Sequence, residues 1–319
     1  MGEGGLGSRQ GAVLLTGATG YLGERILARL SGSGRKVRCL VLPGDPADPS
    51  QHHPCEIVRG DLTRPKGLDS ILEGVDTILH GAALMPPNDP DRIRAVNVGG
   101  TAALLDFARH RGVRRFIYIS AVSAIYPVKN AYGQSKAEAE ALVAASGLDF
   151  TILRLTMLYG DGGGLHFAKL VGLMEKIPLV FPVLGPGRAR LQPVYVDDAA
   201  RAVEIVLASP AAVGRTLNVS GGSVVTFNEL VDAVAAAMGR RRIRLHAPLW
   251  LCRIAATAAE RLKPGSFLSR DAIVGLTQDA TLDHSELLSE FGWSPLDLTS
   301  GLALYFGSAA NGDASREAA

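Results

Sequence analysis

Apolar positions along this chain follow two periods. Short, nearly continuous apolar runs recur at Val13-Leu14-Leu15, Val37 to Leu42, Ile57-Val58, Ile78-Leu79, Phe116 to Ile119 and Leu148 to Leu155. Runs of that length and density fit parallel strands covered on both faces. Between them the spacing becomes helical. Leu22, Ile26, Leu27 and Leu30 share one helix face, as do Val96, Leu104, Leu105 and Ala108 in a helix expected from Arg94 to Arg111. Asn97 and the pair Gly99-Gly100 interrupt that helix, and glycine inside a helix costs roughly 1 kcal/mol relative to alanine, so something is expected to approach closely there. The strand–helix alternation predicts an α/β fold with a doubly wound parallel sheet, built from residues 11–158 with later strands returning near 193–221. Residues 159–192 and 222–306 are predicted to form a smaller, mostly helical C-terminal lobe for substrate. Residues 1–10 and 308–319 are expected to be disordered tails.

The first strand runs into Thr16-Gly17-Ala18-Thr19-Gly20-Tyr21-Leu22-Gly23. Glycines at Gly17, Gly20 and Gly23 let the chain turn sharply, let a pyrophosphate approach the backbone and let helix pack on strand. The helix that follows offers free amides and a positive dipole end to phosphates. A strand before and a helix after turn a weak glycine pattern into a dinucleotide-binding Rossmann expectation, with Gly17, Thr19, Gly20, Tyr21, Leu22 and Gly23 on the cofactor. At the second strand's end, Leu42-Pro43 leaves NAD and NADP undistinguished. Asp61 and Leu62 follow the third strand, where Asp61 is placed to accept from an adenine amino group; its alternative is to cap the helix expected near Lys66–Leu72. Ala82 and Ala83 end the fourth strand and leave room for a cofactor. His80 is expected to be a packed strand-end histidine.

A second constellation lies at Tyr132-Gly133-Gln134-Ser135-Lys136. Tyrosine and lysine at i and i+4 share a helix face. A free phenol titrates near ~10, and an ammonium held beside it is expected to lower that value and make it an acid–base at neutral pH.

Bulk properties narrow the classes. The chain has 319 residues, 47% hydrophobic, with formal net charge +2. That is a globular composition, and it implies neither a nucleic-acid nor an anionic-membrane partner through overall charge. The stretch Gly239 to Arg244 is basic but short, and is expected to be a solvated turn. Cys39, Cys55 and Cys252 lack paired spacing, which argues for a reducing, cytoplasmic setting without a disulfide framework or zinc site. No secretory leader pattern is visible. The apolar helix expected over Leu249–Leu262 is shorter than a membrane span and not basic on one face, so it is expected to pack over the substrate cleft rather than on a membrane. Arg188 and Arg190 read as surface arginines, and Asp197-Asp198 as acids at a helix start.

Taken together, the glycine turn, Gly60-Asp61-Leu62, His80-Gly81-Ala82-Ala83, Asn97-Val98-Gly99-Gly100-Thr101, Tyr132 to Lys136 and Pro193 to Asp198 resemble the short-chain dehydrogenase/reductase superfamily in its extended and atypical branches. The nearest likeness is to NAD-dependent epimerase/dehydratase-like proteins, including a subgroup similar to an accessory subunit of respiratory complex I. The resemblance implies NAD or NADP as cofactor, a small-molecule alcohol or ketone as substrate, and a possible homodimer. It makes Tyr132 the acid–base and Lys136 the residue that holds the nicotinamide ribose and tunes Tyr132. The sequence departs from that pattern at Val122, where the family places a catalytic Ser or Thr; Ser123 or Ser120 is the available substitute. Arg154-Leu155 stands where Arg-Pro is usual. A non-catalytic dinucleotide-binding accessory or sensor protein is therefore the alternative.

Overall fold

The computed structural model describes residues 11–64, 69–86, 89–162, 164–177, 179–262 and 270–316. The first ten residues, and the start of the helix expected near Lys66, lie outside them. The first half of the chain runs β1 (Ala12–Thr16), α1 (Tyr21–Gly32), β2 (Val37–Val41), β3 (Glu56–Arg59), β4 (Val75–His80), α2 (Pro90–Arg94), α3 (Gly100–Arg111), β5 (Arg115–Ala121), α4 (Ala131–Ala144) and β6 (Asp149–Leu155). The second half adds β7 (Leu158–Tyr159), α5 (Leu165–Lys176), β8 (Val180–Leu184), β9 (Arg190–Leu191), β10 (Val194–Tyr195), α6 (Val196–Ala208), β11 (Arg215–Val219), β12 (Val225–Thr226) and α7 (Phe227–Ala237). It closes with β13 (Ile243–Ala247), α8 (Leu249–Leu262), α9 (Arg270–Leu276), α10 (Ser285–Phe291) and α11 (Leu298–Arg316).

Seven strands form one parallel sheet in the order β11-β6-β5-β4-β1-β2-β3. The chain winds outward from β1 to β3, then crosses back to β4 on the other side of β1. This reversal between β1 and β4 is a topological switch point, where open sheets of this kind bind ligands at the strands' carboxyl ends. Strands such as β1 and β5 are apolar on both faces because both faces are covered. On one face, Ile26, Leu27 and Leu30 of α1 and Val203 and Val206 of α6 pack on the sheet. On the other, Leu104, Leu105 and Ala108 of α3 meet Ala139 and Val143 of α4.

The smaller lobe has its own core. Phe167, Leu170 and Met174 of α5, Phe181 and Val183 of β8, and Phe227, Leu230 and Val234 of α7 close on Leu298 and Leu302 of α11.

Several expectations change. Of the two strands expected to return after residue 193, β11 joins the main sheet beside β6, whereas β10 pairs with β7 in a separate two-stranded piece. The basic stretch is not only a turn: from Ile243 it becomes β13, parallel to β8. α11 continues past Ser308 to Arg316, through an alanine-containing stretch that favours helix. Asp197 and Asp198 do stand in the first turn of α6, as expected, but neither caps it. Asp198 instead accepts from the Leu296 amide at 2.7 Å, and Asp197 lies 3.9 Å from Arg25. Leu287 and Trp293 join the nucleotide-side core, not the smaller lobe.

Candidate functional site

The turn between β1 and α1 has the shape its glycines allow. Gly17 has φ +78°, and a Cβ there would sit 2.8 Å from the Ala82 amide nitrogen. A Cβ on Gly23 would overlap the Gly17 carbonyl, so the third glycine lets α1 lie directly on the turn. Gly20 is the N-cap, and no side chain caps α1. The leading amides of the helix are thus left for a phosphate. Thr19 Oγ1 donates to Asp45 beyond β2 at 3.2 Å. Leu22 is half-buried against the sheet core. The Tyr21 ring turns away from the turn toward the Gly160–Gly164 loop, where a Cβ on Gly164 would lie 3.2 Å from it. Its hydroxyl is buried without a partner, and burial pushes its pKa up.

Asp61 spends its carboxylate locally. It accepts from the Thr63 amide at 2.9 Å and the Thr63 hydroxyl at 2.7 Å, and these bonds hold its pKa below the usual carboxylate range. Leu62 packs toward Gly100.

Behind Ala82 lies a relay absent from the sequence reading. The Ala82 amide donates to Thr16 Oγ1 at 3.1 Å, and Thr16 Oγ1 lies 2.7 Å from His80 Nδ1. His80 Nε2 lies 2.9 Å from Thr101 Oγ1, which donates to the Asn97 carbonyl at 2.6 Å. The Ala82 amide, a fixed donor at one end, and the Asn97 carbonyl, a fixed acceptor at the other, assign the proton to Nε2 and leave Nδ1 as acceptor. Burial, and secondarily Lys136, depress His80 to about 3, so it is a neutral structural residue as expected. Asn97 lies in a wide π turn, Ala95–Gly99, between α2 and α3. Its amide accepts from the Leu84 amide at 2.7 Å and donates to the Leu84 carbonyl at 3.0 Å and to Ser135 Oγ at 2.9 Å. This clamp fixes the segment holding Ala82 and Ala83. The interruption at Asn97-Gly99-Gly100 was its visible signal.

Just past the end of β5, the turn carrying Ser123 packs on the start of α4, the helix that carries Tyr132 and Lys136. Gly133 presses on the Ser123 carbonyl, where a Cβ would lie 2.6 Å away. Ser123 Oγ is buried and has no hydrogen-bond partner. Ser120 is not available as a substitute: its hydroxyl donates to Glu140 at 2.5 Å, and Glu140 is gripped by Arg154 at 2.6 Å. Val122 packs into the core of the smaller lobe. Lys136 is only 2% exposed, donates to the Ile119 carbonyl at 2.5 Å, and lies 4.1 Å from the centre of the Tyr118 ring. Burial lowers it to about 7, against a smaller opposing pull from Glu140. The expected lowering of Tyr132 is not found. Tyr132 is pushed up to about 12 by burial, and the Lys136 ammonium faces a carbonyl and a different ring.

Arg188 and Arg190 are exposed, as expected. α9 approaches the site through Gln278, which accepts from the Val128 amide at 3.0 Å and donates to its carbonyl at 2.9 Å.

Comparison with known proteins adds four findings. Residues 13–220 match the NAD dependent epimerase/dehydratase family. A ceramide reductase of Caulobacter vibrioides is 32% identical over 242 residues, covering 75% of each chain. A 3 beta-hydroxysteroid dehydrogenase/Delta 5-->4-isomerase of Mycobacterium tuberculosis is 27% identical over 343 residues, covering 94% of this chain and 90% of its own. In fold, the chain is similar to UDP-glucose 4-epimerase of Thermotoga maritima, solved with UDP-glucose. The TM-score is 0.74 at 20% identity, covering 94% of this chain and 99% of that one.

Proposed function

The chain belongs to the NAD-dependent epimerase/dehydratase family, and from that premise we propose that it is an NAD(P)-dependent oxidoreductase or epimerase in which Tyr132 exchanges the proton that accompanies hydride transfer. The observation that carries this reading is one unengaged group: the Ser123 hydroxyl, buried without a partner on the turn that packs against the start of α4, the helix carrying Tyr132 and Lys136.

The residues present fit a dinucleotide. Gly17 and Gly23 let the turn close tightly on Ala82 and on α1, and the uncapped start of α1 suits a pyrophosphate. Ala82 and Ala83 offer a flat backbone beside it, and Asp61 and Leu62 stand on the adenine side. When bound, the nicotinamide supplies a hydride donor or acceptor at its C4.

In the reductive direction, Ser123 holds the substrate's carbonyl oxygen by a hydrogen bond. Tyr132, protonated at neutral pH because burial keeps it near 12, gives its proton to that oxygen as the carbonyl becomes a secondary alcohol. Lys136, held by the Ile119 carbonyl and over the Tyr118 ring, is left to orient the nicotinamide ribose. In the oxidative direction the phenolate takes the hydroxyl proton back. The substrate is a compound with a secondary alcohol or ketone, the group common to ceramide-, steroid- and sugar-type chemistry in the similar proteins.

The alternative of a non-catalytic nucleotide binder is favoured by one feature, Val122 at the position of the family's Ser or Thr. One experiment separates the two. NAD(P)H oxidation is followed with 3-ketosphingoid, ketosteroid and nucleotide-sugar substrates, alongside nucleotide binding by calorimetry. Tyr132→Phe is expected to lower kcat by roughly 10²–10⁴-fold with nucleotide affinity kept. Turnover unchanged in that variant removes Tyr132 from the reaction. Nucleotide binding with no turnover on any substrate leaves the accessory reading standing.

A further inference from the structure

α8 is built inside out. Its packed side carries small residues: Cys252 and Ala256 meet Ile273 of α9. Apart from Leu249, which packs on the same cluster, its large described residues point to solvent. Trp250 is 64% exposed and Ile254 61%, with Leu251 also exposed. The spacing 250, 254, 258 places these on one helical stripe. Immediately before α8, the β8–β13 sheet shows the same arrangement. Phe181 and Val183 face inward, fully buried. In parallel register, Ile243 pairs with Val180 and Leu245 with Pro182, and all four are exposed on the outer face. An outward face of Trp, Ile and Leu drawn from two consecutive elements is a surface that water solvates poorly.

The charge around that face is of one sign. Arg240 and Arg241 precede β13 and Arg253 flanks the α8 stripe; none of the three is in an ion pair among the described residues. Arg244 is held by Asp232 at 2.7 Å.

We propose that the outer faces of α8 and of the β8–β13 sheet form a peripheral docking surface for a bilayer of anionic phospholipid. An exposed tryptophan among aliphatic side chains suits the headgroup–acyl boundary, and unpaired arginines beside it suit phosphate headgroups. A second copy of this chain fits less well. A two-fold contact through this face would bring its arginines toward one another, with no ion-pair partner for Arg240, Arg241 or Arg253 among the described residues. The surface lies on the wet side of the helix and is no part of the substrate site itself. It does sit next to that site, because α9 packs on α8 and Gln278 clasps Val128, four residues before Tyr132. No helix of the described residues is long and apolar enough to cross a membrane, so the contact is interfacial. The inference stands apart from the catalytic proposal, since neither Tyr132 nor turnover enters it.

The test uses the full chain and sucrose-loaded vesicles, of pure phosphatidylcholine or with roughly one-third phosphatidylglycerol. Binding is read by co-sedimentation and by tryptophan emission. The chain has two tryptophans, and Trp293 is fully buried, so a blue shift on binding reports Trp250. The expected result is sedimentation with the anionic vesicles and a blue shift. Trp250→Glu and Ile254→Glu should each weaken partitioning about tenfold. Removing Arg240, Arg241 and Arg253 should weaken it about fivefold per arginine. Circular dichroism and nucleotide binding confirm that the variants fold. Three results would overturn the proposal: no sedimentation even at low salt; sedimentation without a blue shift and unaffected by Trp250→Glu, which is charge alone; or a concentration-dependent dimer lost in Trp250→Glu without vesicle binding.

Discussion

Lys136 is the residue whose state the fold changes most. Burial brings it to about 7, whereas in an unfolded chain it titrates near ~10.4. Between those values the unfolded chain binds more protons than the folded one. Stability contributed by the deprotonated lysine is therefore complete above the unfolded value, and is lost as pH falls through about 7. Denaturant unfolding at pH 7 and pH 9 should show stability rising with pH by about 1–2 kcal/mol from this group. In Lys136→Met that rise should flatten, and the difference between the two slopes isolates Lys136 because the buried thiols titrate alike in both. Equal slopes would mean that the ammonium is hydrated in the folded protein. The pairing of Tyr132 with Lys136 was legible in the sequence, because i and i+4 share a helix face whatever surrounds them. Their charge states were not. These depend on Ile119, Tyr118 and Glu140, which come from a neighbouring strand and the next helical turn, and no local spacing reveals what a strand carbonyl will face. The glycine turn was legible for the opposite reason: Gly17 and Gly23 are dictated by their own backbone geometry.

Elements can be located in a sequence more readily than they can be oriented. The helical stretch through Arg94 to Arg111 and its interruption were both visible, yet the interruption is a π turn, and a wider turn rotates the residues on either side relative to an α-helix. Val96, expected to face inward, is half-buried, and Asn97 takes the fully buried position. α8 was likewise found at its expected limits, but apolar periodicity alone did not say which side of it meets the core, where Cys252 and Ala256 pack inward. The π turn makes a testable demand. Asn97→Leu would leave the Leu84 amide and carbonyl without their side-chain partner and free Ser135, three bonds at one buried place. Unpaired buried backbone groups cost roughly 1–3 kcal/mol each, so a net loss of about 2–4 kcal/mol is expected in urea titrations. Because Leu84 follows Ala82 and Ala83 directly, nucleotide affinity should fall as well. Calorimetry giving the wild-type affinity in a destabilised variant would confine Asn97 to a purely structural role.

The whole molecule is joined by its last fifth. The sequence assigned 222–306 to one lobe, because a single Trp between glycine and serine has no period to betray its destination. In the structure that stretch is shared. Leu287 and Trp293 fill the core under α1 and α6, while Leu298 and Leu302 fill the core of the smaller lobe. Trp293 is fully buried, donates from its indole to the Asp198 carbonyl at 2.9 Å, and meets His284 edge-on with centroids 5.7 Å apart. The chain thus passes from one core to the other within a few residues, and Asp198 fixes both sides of the crossing by also accepting from the Leu296 amide. Two cores tied so closely should not unfold separately. Trp293→Ala removes the largest fully buried side chain and is expected to cost about 3–5 kcal/mol, a large share of the 5–15 kcal/mol typical of a folded domain. Trp293→Phe keeps most of the packing and loses the indole bond, so it should cost only about 1–2 kcal/mol. The loss should fall on both lobes alike: nucleotide binding and far-UV circular dichroism should be lost at one shared, lowered midpoint. If the Ala variant instead shows two transitions, with nucleotide binding retained through the first, the cores are independent and the C-terminal crossing is only a tether.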